Sequence, residues 1–126
     1  MRNMSFALTT EQARNKTKTV TRRMGWWNLK PGELVQQVVK SQGLKKGEHI
    51  EKIHVIRILK TGVEPINRLI HEPEYGQSEI IKEGFPSWSP LEFVLFFCST
   101  HNCEGDAKPN RIEFEYVEAE KGEGRE

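Results

Sequence analysis

Lys18-Thr19-Val20-Thr21-Arg22-Arg23 places one amine, two hydroxyls and two guanidiniums in an unbroken run. A lysine can take the proton of a neighbouring hydroxyl only if burial pulls its pKa towards neutrality; the deprotonated oxygen is then a nucleophile. The same side chains suit phosphate, with Arg donating a bidentate pair and Thr a single bond. They also suit an edge strand whose charges guard it against pairing with other chains. The residue types leave all three readings open.

Other side chains could serve such a site. Adjacent Trp26 and Trp27 on an extended segment face opposite ways, so at most one enters the core. The other is free to stack on a base or to close a barrel as a lid. Trp88 poses the same choice. Glu83 precedes Gly84-Phe85-Pro86, where the chain must turn sharply, and a carboxylate there could relay protons at a barrel mouth. Cys98, His101 and Cys103 invite a zinc reading, but the four-residue gap between the cysteines is wrong for a zinc knuckle and only one pair exists. No metal and no cofactor is expected. His49, His54 and His71 have no partner pattern.

The elements that would hold these residues can be read from patterning. Met4–Leu8 reads as a strand, followed by a capping box of Thr9 and Gln12 and a short helix to about Asn15. Thr and Val in Lys18–Arg23 favour β-structure. Met24–Gly32 is a loop closed by Pro31-Gly32. Glu33–Lys40 and Ile50–Leu59 read as strands around a polar turn at Gly43–Gly47. In the second of these, Ile53 and Val55 are out of phase with Ile56 and Ile58, which predicts a bulge. Glu64–Ile70 is ambiguous, His71–Gly76 reads as loop, and Ser78–Lys82 as one helical turn. Ser89-Pro90-Leu91-Glu92 combines an N-cap, Pro at the first helical position and Glu at the third. The helix it starts is expected to be mostly buried, with Leu91, Val94, Leu95 and Cys98 on one face. Arg111–Val117 closes the fold as a strand with Ile112, Phe114 and Tyr116 inward. Short strands with a few helices indicate an α+β fold, a compact barrel with helices over its openings.

Composition narrows the function classes. The chain has 126 residues, enough for one domain, with residues 118–126 expected as a disordered charged tail. Its 19 basic and 18 acidic residues give a formal net charge of +1, too balanced for a general nucleic-acid coat. The charge is nevertheless uneven. Arg14, Lys16, Lys18, Arg22 and Arg23 lie in a stretch without an acidic residue, whereas Glu113–Glu126 is mostly acidic. No run approaches the roughly 20 apolar residues of a membrane span. Without a secretory h-region, and with two cysteines too few for a disulfide framework, a cytoplasmic protein is expected.

The sequence resembles the ASCH superfamily, small PUA-like barrels associated with RNA and modified nucleosides. The resemblance rests on KTVTRR at Lys18–Arg23, LKPGE at Leu29–Glu33, EGF at Glu83–Phe85, SPLEF at Ser89–Phe93 and RIEF at Arg111–Phe114, in order from Ser5 to Val117. It implies a barrel of about five to six strands with two or three helices over residues 1–117. KTVTRR also looks like the KTxTxR signature of bacterial N4-acetylcytidine amidohydrolases. That likeness implies Lys18 as proton acceptor, Thr21 as nucleophile and Glu83 as proton donor; Thr19, Arg22, Arg23, Trp26 and Trp27 are read from the residues themselves as the substrate-binding side chains. Two features depart from the signature: the single Arg becomes a pair, of which Arg23 fits by position, and the segment between Gly32 and Glu83 is longer.

Two functions follow as expectations. One is a metal-free amidohydrolase of an N4-acylated cytidine-type nucleoside. The other is a non-catalytic RNA-binding module using the same basic residues, and a ribonuclease on that pocket is a third. The first carries a structural demand. In a regular strand Lys18 and Thr21 point to opposite faces, so a shared pocket requires the chain to depart from a straight strand between them.

Overall fold

The computed structural model describes residues 1–41 and 43–118; the expected tail, apart from Glu118, lies outside them. Its β-strands are β1 (Arg2–Ser5), β2 (Val20–Arg23), β3 (Leu34–Val38), β4 (Lys52–Val63) and β5 (Asn110–Tyr116). Its helices are α1 (Thr10–Arg14), α2 (Arg68–His71), α3 (Pro73–Glu83) and α4 (Pro90–His101). The strands form one curled half-barrel sheet in the order β1-β3-β4-β5-β2. β1 runs parallel to β3, and the other neighbours are antiparallel. The fold is α+β as expected, with one helix more than the reading allowed. Among the described residues no helix is long and apolar enough to cross a membrane.

The phase slip of β4 is a real feature. Val38 pairs with Lys52 while Gln36 pairs with Val55, so β4 carries an extra residue there. A second extra residue falls at Leu59, between the Ile58–Phe114 and Lys60–Glu113 pairs. Bulges bend a strand and increase its twist, and these two lie on the longest strand, at the centre of the sheet.

Several local readings need correction. The Met4–Leu8 strand stops at Ser5 and gives way to a 3-10 turn at Ala7–Thr9. The Thr9–Gln12 capping box does not form; the Thr10 hydroxyl donates instead to the Phe6 carbonyl at 2.9 Å. Of His71–Gly76, only Glu72 is non-helical: His71 ends α2 and Pro73–Gly76 begin α3, because Pro73 opens that helix at a first-turn position where a missing N–H costs nothing. Gly76 sits inside that helix because a Cβ there would lie 1.9 Å from the Leu69 carbonyl oxygen, so its absence lets α2 and α3 touch. The Ser89–Glu92 capping box is formed, but the buried face of α4 is Phe93, Val94 and Phe97, and Leu91 and Leu95 are exposed. The large aromatic rings win the interior, and the leucines flank it.

Two apolar clusters result. One fills the sheet, with Met4, Phe6, Val35, Ile56, Ile58 and Phe114 among its members. The other joins the helices through Ile66, Leu69, Ile80, Phe93, Val94 and Phe97. β2 lies at the sheet edge next to α3 and carries the buried Thr21 and Arg22 side chains.

Candidate active site

α3 ends at Glu83 because Gly84 adopts a left-handed φ of 102°. A Cβ at Gly84 would also come within 2.7 Å of Gln12 Cγ, so glycine lets the helix end seat on α1. The last carbonyls of a helix have no partner within it. The segment before β2 supplies partners here: Thr19 N–H donates to the Lys82 carbonyl at 2.8 Å, and Lys18 Nζ donates to the Glu83 carbonyl at 2.9 Å. A cation at this helix terminus is also favoured by the helix dipole.

Lys18 sits outside the regular ladder. Its backbone N–H donates to Gln12 O, its carbonyl accepts from the Tyr116 hydroxyl at 2.7 Å, and β2 begins only at Val20. Strand alternation therefore does not apply between Lys18 and Thr21. Both side chains are buried and both line one cleft of about 200 Å³, with Glu83 beside them. Lys18 Nζ donates to Glu83 Oε1 at 2.8 Å, with both side chains almost wholly buried. Burial drives the Lys18 pKa below that of a free lysine, against the pull of Glu83. No hydrogen bond joins Lys18 to Thr21. The Thr21 hydroxyl instead accepts from Arg23 Nε at 3.0 Å, which leaves its own proton available to a base.

The two arginines part company. Arg22 turns to the helices and donates to Glu83 Oε2 at 2.9 Å, Glu79 Oε1 at 2.6 Å and Glu64 Oε2 at 2.8 Å. Burial works against its charge, but Glu83, Glu64 and Glu79 outweigh it and raise its pKa. Arg111 grips both Glu79 oxygens at 2.6 and 2.9 Å, and Tyr75 donates to Glu64 at 2.7 Å. Together Arg22 and Arg111 overcome the burial of Glu79 and hold its carboxyl down at about 2. Glu64, Tyr75, Glu79 and Arg111 were not foreseen from the sequence as part of this cluster. Arg23 has no carboxylate partner among the described residues; its guanidinium lies 4.8 Å from the centre of the Phe6 ring. Burial lowers its pKa to about 10, partly opposed by Glu83.

The far wall of the cleft is aromatic: Phe85, Phe93, Phe96 and Phe97, with His101 stacked on Phe97 at 3.9 Å. The His101 Nδ1 lies 2.9 Å from the Phe97 carbonyl. Trp26 and Trp27 do not line this cleft. Trp26 packs on the sheet cluster under the Arg2 guanidinium, and Trp27 is exposed. Trp88 stacks on Phe85 at 4.2 Å and so backs the wall from outside. Thr19 is likewise off the cleft. The basic run does not form a surface track: Lys18 and Arg22 are buried on carboxylates, and exposed Arg14 is paired with Glu51.

Comparison with solved structures places this architecture. The ASCH domain from Lactobacillus crispatus JV V101 matches with a TM-score of 0.55 at 15% identity, over 91% of this chain and 78% of that one. The chain has the ASCH fold. Hypothetical protein PH0355 shares this ASCH-like arrangement at a TM-score of 0.58 and 14% identity, covering 92% of this chain and 96% of that one. Protein EF3133 from Enterococcus faecalis V583 does so at 0.55 and 18%, covering 92% and 75%. No protein-family model and no curated protein matches the sequence. Within the ASCH fold seen here, the cleft opens between β2, the end of α3 and the aromatic face of α4.

Proposed function

We propose that this cleft is the active site of a metal-free amidohydrolase acting on an N4-acylated cytidine-type nucleoside. The observation that carries the reading is the convergence of Lys18, Thr21 and Glu83 on one cleft with an aromatic opposite wall. A base fits against the phenylalanines, and the acyl group then faces Thr21.

The Lys18–Glu83 pair shares one mobile proton. With that proton on Glu83, neutral Lys18 accepts the Thr21 proton as the hydroxyl oxygen attacks the acyl carbonyl. Glu83 then protonates the departing amine as the carbon–nitrogen bond breaks, leaving the Lys18 ammonium and Glu83 carboxylate in the observed ion pair. Water attacks the acyl-threonine ester and gives its proton to Glu83, while Lys18 returns a proton to Thr21. The cycle consumes one water and needs no other reactant. Arg23 faces the reacting centre and stabilises the charge that develops on the carbonyl oxygen. Lys18 must move from the Glu83 carbonyl towards Thr21, a tightening that ligand binding commonly supplies. The setting we assign is the cytoplasm, in keeping with the unbridged Cys98 and Cys103.

The test is release of cytidine from N4-acetylcytidine, followed by chromatography. Turnover by the wild type that is lost in Lys18→Ala and Thr21→Val is expected. Absence of product across a panel of N4-acylated cytidines would sink the reading.

A further inference from the structure

Every other charge at the cleft is compensated. Lys18 and Glu83 pair with each other, and Arg22 is met by three carboxylates. Among the described residues, Arg23 is the charged side chain of the cleft with no carboxylate bonded to it. Its Nε is occupied by Thr21 and its flat face by Phe6, which fixes the orientation of the guanidinium. Its two terminal nitrogens have no protein acceptor among the described residues, and neither is sealed from solvent, so they are accessible at the cleft. A partly desolvated cation with no carboxylate bound to it is costly, and burial accordingly lowers the Arg23 pKa, partly opposed by Glu83. The fork of a guanidinium matches a carboxylate or a phosphate through two parallel hydrogen bonds.

We propose that the cleft selects acyl groups that end in a carboxylate, seated on the Arg23 fork beside Thr21. The inference rests on the hydrolase reading in one respect, since Thr21 as nucleophile places Arg23 next to the acyl group. The carboxylate comes from a dicarboxylic acyl chain, whose far end lies close to the acyl carbon; a nucleoside 5′-phosphate lies at the opposite end of the molecule from the exocyclic amine and serves as a control for charge placed elsewhere. This differs from stabilising a transient oxyanion, a role that serves neutral and anionic substrates alike.

The experiment compares N4-acetylcytidine, N4-succinylcytidine and N4-acetylcytidine 5′-monophosphate with the wild type, Arg23→Gln and Arg23→Lys. The expected wild-type kcat/KM for N4-succinylcytidine exceeds that for N4-acetylcytidine and for its 5′-monophosphate by about tenfold or more, the scale of one charge-assisted hydrogen bond. Arg23→Gln should bring that ratio close to one, and Arg23→Lys should retain part of it. A preference for the 5′-monophosphate over N4-succinylcytidine puts the anion site away from Thr21 and overturns the proposal. A wild-type ratio near one, or a preference that survives Arg23→Gln, overturns the proposal. Calorimetric binding of N4-succinylcytidine and of cytidine 5′-monophosphate, each against cytidine, separates the two readings. Anion-dependent binding lost in Arg23→Gln without any turnover upholds the anion site and removes the hydrolase. Turnover without anion preference does the reverse, and absence of both removes both.

Discussion

Arg22 and Arg23 are chemically identical neighbours on one strand, and the pleat sends them to opposite environments. Arg22 lies in a carboxylate cage that joins β2 to α2's approach, α3 and β5, through Glu64, Glu79 and Glu83, with Arg111 completing it. Arg23 faces a cleft with one hydroxyl and one aromatic ring for company. A buried charge that finds its partners within the fold holds the fold together. One left short of partners at a cavity is open to a ligand, and here one residue of register separates the two environments.

The largest effect should come from the cage. Arg22→Met takes one cationic partner from each of three carboxylates, two of them buried, and should cost about 3–5 kcal/mol in denaturant unfolding. A mild result would break the comparison by making Arg22 dispensable. Lys18→Ala leaves Glu83 still paired with Arg22, so its main consequence should be a loss of about 10²–10⁴-fold in kcat. In the wild type the rate should fall at high pH as the Lys18–Glu83 pair loses its one shared proton, with a midpoint below the 10.5 of an unburied lysine. Next comes acid stability. The Glu79 carboxyl titrates at about 2 when folded against an ordinary 4.5, so its contribution is complete above pH 4.5 and fades as the pH falls towards 2. Glu79→Gln should flatten that part of the stability–pH curve in denaturant midpoints. The smallest effect sharpens the contrast: Arg23→Gln removes one hydrogen bond and one cation–π contact, and should shift unfolding by only about 1 kcal/mol.

The site segment was legible because lysine, threonine and arginine in that order carry their chemistry in their side chains. The start of α4 was legible for a similar reason, since a capping box is local. The cage was not. Glu64, Glu79 and Arg111 are far apart in sequence and read singly as ordinary surface charges, until β5 and α3 bring them onto Arg22. The stacking surface was misplaced because paired tryptophans attract notice, whereas the cleft wall is built from phenylalanines that read as core. Phe93 and Phe97 serve as both. The parity objection to Lys18 assumed that the strand began where the motif begins, and hydrogen bonds from Thr19 to α3 and Lys18 to α1 show the ladder starting later.

Lys18 is held by Glu83 twice, through the carboxylate and through the main-chain carbonyl. Side-chain mutagenesis can reach only the first of these. In Glu83→Ala the amine still finds an oxygen at the end of α3, so a scan of side chains would understate how firmly position 83 anchors it. Replacing the amide that follows Glu83 with an ester, which weakens that carbonyl as an acceptor, would expose the hidden half. The most durable part of this site is written in the backbone, where a codon change cannot delete it.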